Sequence, residues 1–191
     1  MKVIGINGSQ RPNGNTSIII KKIFAELEKE GIETELVQLG GSAIRGCTGC
    51  GVCYKTKNSL CAMQGDVING IIQKAAQADG IILGSPVYYA DITPEMKAFI
   101  ERAGTVSAAN DNLFKHKPGA AVMPVRRGGA THAFDTMNHF LHYMQMYLVG
   151  GSYWNMVYGK EIGEVEKDEE GMENMRVIGE NMAWLLKKIN A

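Results

Sequence analysis

The chain has 191 residues, 45% of them apolar, and its twenty basic and twenty acidic side chains cancel. This composition fits one globular domain and excludes disordered and fibrous classes, while a formal charge of zero supplies no field for nucleic acid or an anionic membrane surface, so neither is expected as a partner. No apolar run approaches a bilayer span, and Lys2-Val-Ile-Gly-Ile6 turns polar at Asn7 without a secretory leader, so a cytoplasmic protein with reduced thiols is expected.

In chain order, residues 3–6 read as a short buried strand, residues 8–14 as a polar turn, and Asn15 or Thr16 as the cap of a helix carrying Ile19, Ile23, Phe24 and Leu27. Gly31 ends that helix and residues 34–39 form a second strand. Residues 40–65 are then an unusually long connection, of the kind that tends to be functional. Asp66 caps a second helix through residue 78, and residues 80–84, apolar on both faces, form the third strand. Thr93 and Pro94 are an N-cap and first-turn pair, followed by Met96, Phe99, Ile100 and Ala103 on one helical face. Residues 119–125 are the fourth strand and residues 131–146 a helix with Phe134, Met137, Phe140, Leu141 and Met144 inward. A fifth strand is expected over residues 148–154, and a last helix over residues 170–189 with Met175, Ile178, Met182, Leu185 and Ile189 on one face. Strands alternating with helices predict an α/β fold. Five of each fit the flavodoxin-like, doubly wound parallel sheet of order 2-1-3-4-5 with helices on both faces.

In such a sheet the ligand lies off the carboxyl ends of the strands. The first loop there, Gly8-Ser9-Gln-Arg11-Pro-Asn-Gly-Asn15-Thr16-Ser17, places hydroxyls, amides and a guanidinium ahead of a helix N-terminus, which suits a phosphate. It lacks the ending of a P-loop and the spacing of a dinucleotide fingerprint, so a monophosphate is the better fit. The second loop, Ser85-Pro86-Val87-Tyr88-Tyr89-Ala90, offers aromatics and amides to flank a planar ring. The third, Pro124-Val-Arg126-Arg127-Gly128-Gly129, joins two cations to close-approach glycines, and a positive charge there would favour an anionic state of a bound ring. His116, His132, His139 and His142 read as structural or surface groups.

Cys47, Cys50, Cys53 and Cys61 are the only cysteines, and all four fall in the long connection. A Cys-x2-Cys-x2-Cys run with a fourth thiol beyond is how one loop wraps an iron-sulfur cube, although Ala62 stands where bacterial ferredoxins have proline. Structural zinc, which usually takes two separated knuckles, and thiols without metal are the competing readings.

Taken together, Gly-Ser-x-Arg-x-x-Gly-Asn-Thr, Gly-Ser-Pro-Val-Tyr-Tyr, Thr-Pro-x-x-Lys-x-Phe-x-x-Arg and Arg-Gly-Gly resemble the NADPH-dependent FMN reductase-like flavoproteins, and the cysteine loop resembles their iron-sulfur branch. The resemblance implies noncovalent FMN, with Ser9, Arg11, Asn15, Thr16 and Ser17 on its phosphate. It implies Pro86, Val87, Tyr88, Tyr89 and Ala90 along ribityl and ring, and Arg126, Arg127, Gly128 and Gly129 at the ring. It further implies a homodimer or homotetramer. The activity expected is that of an FMN-dependent oxidoreductase taking electrons from NAD(P)H or a ferredoxin, with a [4Fe-4S] cluster on the four cysteines. A flavin or quinone reductase with free or redox-sensing thiols, and a non-enzymatic electron carrier, are the alternatives.

Overall fold

The structure is a computed structural model and describes residues 1–190. Six strands are present: β1 (Lys2–Asn7), β2 (Glu33–Gln38), β3 (Gly80–Gly84), β4 (Pro118–Val125), β5 (Tyr147–Leu148) and β6 (Met156–Tyr158). They form one parallel sheet in the order β2-β1-β3-β4-β5, with β6 also paired to β4. The helices are α1 (Asn15–Lys29), α2 (Val52–Thr56), α3 (Ile68–Gln77), α4 (Pro94–Ala109), α5 (Ala130–Tyr143) and α6 (Glu169–Ile189), with a 3-10 turn at Glu164–Lys167. None of the described helices is long and apolar enough to cross a membrane.

Strand alternation sends side chains to two separate cores. Val3, Ile82, Ala120 and Val122 face α1 and α6, where Ile19, Ile20, Ile23, Leu27, Met175, Ile178 and Met182 close the layer. Ile4, Ile6, Ile81, Leu83, Ala121 and Met123 face α3, α4 and α5. Because both faces are covered, the central strands are apolar throughout, as parallel sheets require. The α1 layer is tight: a Cβ on Gly84 would lie 2.6 Å from Ile20 Cδ1 and 2.9 Å from Thr16 Cγ2. Absence of a side chain there lets the first turn of α1 sit directly over the ends of β1 and β3.

Three local expectations are corrected. The fifth strand does not run over residues 148–154; it is split, with β5 on the lower half of β4 and β6 on the upper half. Gly150 and Gly151 interrupt the run, and the buried side chain of Asn155 bridges the gap, its amide donating to Ala121 O at 3.1 Å and Val149 O at 3.4 Å while Met123 N donates to Asn155 O. Neither Asn15 nor Thr16 caps α1: the N-cap is Gly14, without a side-chain cap. Helix α3 starts two residues after Asp66, whose carboxylate still accepts the Ile68 N–H at 3.0 Å. By contrast Thr93 does cap α4, accepting from Met96 N at 3.3 Å, with Pro94 in the first turn.

Asn155→Ala should destabilise the fold by about 1–3 kcal/mol, because the buried Ala121 carbonyl loses its donor. Urea unfolding at constant m-value measures this.

Candidate functional site

The carboxyl ends of β1, β2 and β3 meet in a buried polar lattice. Asn7, fully buried, donates to Gln38 Oε1 at 2.7 Å and accepts from Ser9 N at 3.1 Å. Gln38 returns its amide to Ser9 O at 2.7 Å and Gly40 O at 2.8 Å. On the other side Gly8 N donates to Gly84 O, Thr93 Oγ1 donates to Gly8 O at 2.9 Å, and Ser85 Oγ accepts from Thr93 N at 3.0 Å. Gly40 packs so closely that a Cβ would lie 2.1 Å from Ser9 O. The loop between β1 and α1 is therefore held from both flanks before any ligand arrives.

Within that loop Ser9 Oγ accepts the Arg11 N–H at 3.1 Å, and Gly14 N donates to Arg11 O. The first turn of α1 has no side-chain cap, so its forward-pointing N–H groups and the positive end of the helix dipole stay available to an anion. The Thr16 hydroxyl is buried and has no hydrogen-bond partner. Ser17 is differently disposed: its hydroxyl donates to Gly14 O at 2.8 Å. Asn15 reaches 146 residues forward, donating to Glu161 O at 2.9 Å and accepting from Gly163 N at 2.8 Å. It thereby ties the segment after β6 to the start of α1.

One cleft of about 200 Å³ gathers Ser9, Arg11, Asn15, Thr16, Pro86, Val87, Tyr88 and Arg126, and adds Pro124, Gly159 and Lys160. The last three were not singled out in the sequence. Pro124 lies one residue inside a β4 end that was already read as a site loop, whereas Gly159 and Lys160 follow β6, whose existence depends on the long-range Asn155 bridge. Ser17, Tyr89, Ala90, Arg127, Gly128 and Gly129 do not line that cleft. Tyr89 and Ala90 instead form a left-handed pair, φ 49° and 65°, closed by reciprocal Tyr88–Asp91 backbone bonds, with the Tyr89 ring fully exposed. Positive φ at two consecutive non-glycine residues is strained and tends to mark functional turns. Gly129, φ +83°, abuts this turn: a Cβ there would approach Ala90 Cα at 3.1 Å.

The cysteines form a second centre. Cys47, Cys50, Cys53 and Cys61 all line one small hollow, floored by Arg102, Thr105 and Val106 of α4. Cys53 and Cys61 are buried and Cys50 is exposed. Thr105 Oγ1, whose proton goes to Glu101 O at 2.7 Å, lies 3.7 Å from Cys47 Sγ, Gly49 N donates to the same sulfur at 3.4 Å, and Cys61 N donates to Asn69 Oδ1 at 2.8 Å. Backbone N–H of Val52 and the Thr48 hydroxyl hold the Cys50 thiol below its ordinary pKa, while burial pushes Cys53 up. Among the described residues no three His, Cys, Asp or Glu side chains are arranged to hold a single metal ion. The four histidines lie outside both centres and are exposed, His116 stacked on Tyr147 and His132 3.6 Å from Asp91.

A doubly wound parallel sheet with its cleft at the strand carboxyl ends defines a flavodoxin-like protein. Solved structures agree at the level of fold: a flavone reductase at TM-score 0.77 and 18% identity, covering all of this chain and 64% of that one, and a flavodoxin from the domain Archaea at 0.64 and 16%, covering 98% and 99%. Residues 1–161 match the NADPH-dependent FMN reductase family, and the chain belongs to that family, a class of FMN-dependent oxidoreductases. Among curated relatives, an iron-sulfur flavoprotein of Methanocaldococcus jannaschii is 33% identical over 99% of both chains, and one of Methanosarcina thermophila is 29% identical over 99% of this chain and 97% of its own.

Asn15→Ala should release the 161–163 segment, accelerating hydrogen exchange at the Gly163 amide on the order of tenfold, the equivalent of one hydrogen bond. Unchanged exchange would show the tether to be redundant.

Proposed function

We propose that the cleft binds FMN and that the chain carries electrons from a reduced nicotinamide, NADPH or NADH, or from a ferredoxin, to an acceptor. The observation that supports this best is the uncapped first turn of α1 with its buried, unpartnered Thr16 hydroxyl, beside Arg11 and opposite the Pro86-Val87-Tyr88 wall. A monophosphate would satisfy the turn's N–H groups and the Thr16 hydroxyl and pair with the Arg11 guanidinium. Lys160, on the facing segment, adds a second cation. Pro86, Val87 and Pro124 give the slot apolar walls that exclude water, and Arg126 sets a positive charge at the end of β4 that favours an anionic reduced ring. Bound flavin supplies the hydride and one-electron chemistry itself, so no side chain is needed as nucleophile or general acid.

We propose further that Cys47, Cys50, Cys53 and Cys61 ligate a [4Fe-4S] cluster. The donor set fits: four thiols surround one hollow, with the Gly49 N–H directed at Cys47 Sγ. A cubane gives each thiolate its own iron, so its ligands ring a space, whereas tetrahedral zinc draws four sulfurs to about 2.3 Å from one point. The exposed Cys50 thiol, held toward thiolate, favours one second reading, a flavin or quinone reductase with redox-active cysteines. Assembly as a homodimer or homotetramer belongs to the same proposal; the exposed Tyr153, Trp154, Tyr158 and Ile162 offer apolar surface for it.

Anaerobic purification with iron, sulfide and FMN measured per chain tests both centres. Four irons beside one FMN are expected; FMN alone would transfer the reading to the reductase with free thiols. Arg11→Ala should weaken FMN binding by about 1.5–3 kcal/mol through loss of a charge-assisted contact, read by fluorescence titration. Cys50→Ser should remove iron and leave flavin content unchanged.

A further inference from the structure

We propose that Arg102 is a positioning residue of the cysteine hollow, closing both ends of the cysteine loop over itself and directing its spare Nε–H and positive charge at the sulfurs of the bound cluster. The inference rests on the cluster reading above. Arg102 stands on α4 with its side chain fully buried. Its guanidinium donates to Arg45 O at 3.4 Å, just before Cys47, and to Met63 O at 3.0 Å, just after Cys61, and pairs with the Asp66 carboxylate at the head of α3. One side chain therefore fastens the entry and the exit of the loop.

A staple of that kind does not account for the whole group. Burying a guanidinium is costly, and a fully satisfied fork would offset that best. Yet Nε is buried without a hydrogen-bond partner. The same residue lines the hollow together with all four cysteines. At the opposite side of the loop the acceptor is acidic: Glu101 takes the Cys47 N–H at 3.3 Å and is itself paired with Lys97. Arg102 is thus the cation on the hollow's floor. Donors and positive charge near cluster sulfurs raise the reduction potential, and their loss lowers it.

The test uses the full chain purified without oxygen. Arg102→Gln combined with Asp66→Asn removes the charge without stranding a buried carboxylate, and Arg102→Lys keeps the charge while giving up the fork. FMN content and the melting transition check folding, iron and sulfide are measured per FMN, and the cluster couple is titrated by electron paramagnetic resonance. The double variant should keep FMN, hold less iron and titrate at a more negative potential. Arg102→Lys should stay nearer the wild-type potential, yet show severalfold faster proteolysis within residues 40–65. A folded double variant with full iron and the wild-type potential would reduce Arg102 to a packing group and overturn the proposal. If the double variant holds no cluster or does not fold, Arg102→Lys decides: a variant with full iron, the wild-type potential and wild-type resistance to proteolysis within residues 40–65 would also overturn the proposal. Wild-type protein with FMN and no iron would instead remove the cluster reading, and this inference with it.

Discussion

The site depends first on a buried hydrogen-bond lattice at the carboxyl ends of three strands. Asn7, Gln38 and Ser85 are polar groups at or just past strand ends, Thr93 is the cap of α4, and their side chains bond across from one segment to the next. Desolvated polar groups are costly unless paired, so this arrangement tolerates few alternatives. What it secures is the β1–α1 loop in a fixed shape. A helix N-terminus attracts an anion only if its first turn is presented open, and here the lattice does the work that a capping side chain would do elsewhere, leaving the N–H groups free.

The split of the fifth strand has a similar logic. A continuous strand over residues 148–154 would have carried the chain straight along β4 and away from α1. The glycine pair breaks the pairing, Asn155 substitutes its amide for backbone, and the chain rejoins β4 at Met123. The segment that follows then crosses to Asn15, bringing Gly159 and Lys160 onto the cleft. The irregularity thus adds a wall to the site, at the cost of one buried amide that must be satisfied twice.

Much of this is legible in the sequence alone. Strand positions followed from apolar runs bounded by glycine, and the start of α4 followed from Thr93 and Pro94, because those signals are local. The cysteine spacing and the cluster of Ser9, Arg11, Asn15 and Thr16 were local too. What escaped were groups whose partners lie far along the chain. Asn15 reads as a cap because asparagine before a helix usually is one, yet its side chain is committed to residues 161 and 163. The stretch after Tyr147 reads as a strand because Leu148, Val149, Tyr153 and Trp154 fall in it, and only the fold shows that the chain breaks at Gly150 and Gly151 and is bridged by Asn155. Arg102 reads as the polar tail of a helical motif, and nothing nearby in sequence announces that its carbonyl partners flank the cysteines.

Helix α4 joins these two halves. Its N-cap, Thr93, donates to the phosphate-type loop through Gly8 O, and nine residues on, Arg102 fastens the cysteine loop. At the rise of an α-helix that separation is about 13 Å along one rigid axis. The cysteine loop has no regular structure of its own beyond the five residues of α2, so without α4 its distance from the cleft would vary with every loop fluctuation. In the electron-transfer reading proposed above, two centres need a constant separation, and bonding one loop to the N-cap of α4 and the other to its middle is a direct way to obtain it. The buried Arg102–Asp66 pair is therefore better understood as fixing a position than as adding stability, since an apolar pair of the same volume would hold the core equally well but would leave Arg45 O and Met63 O without a donor.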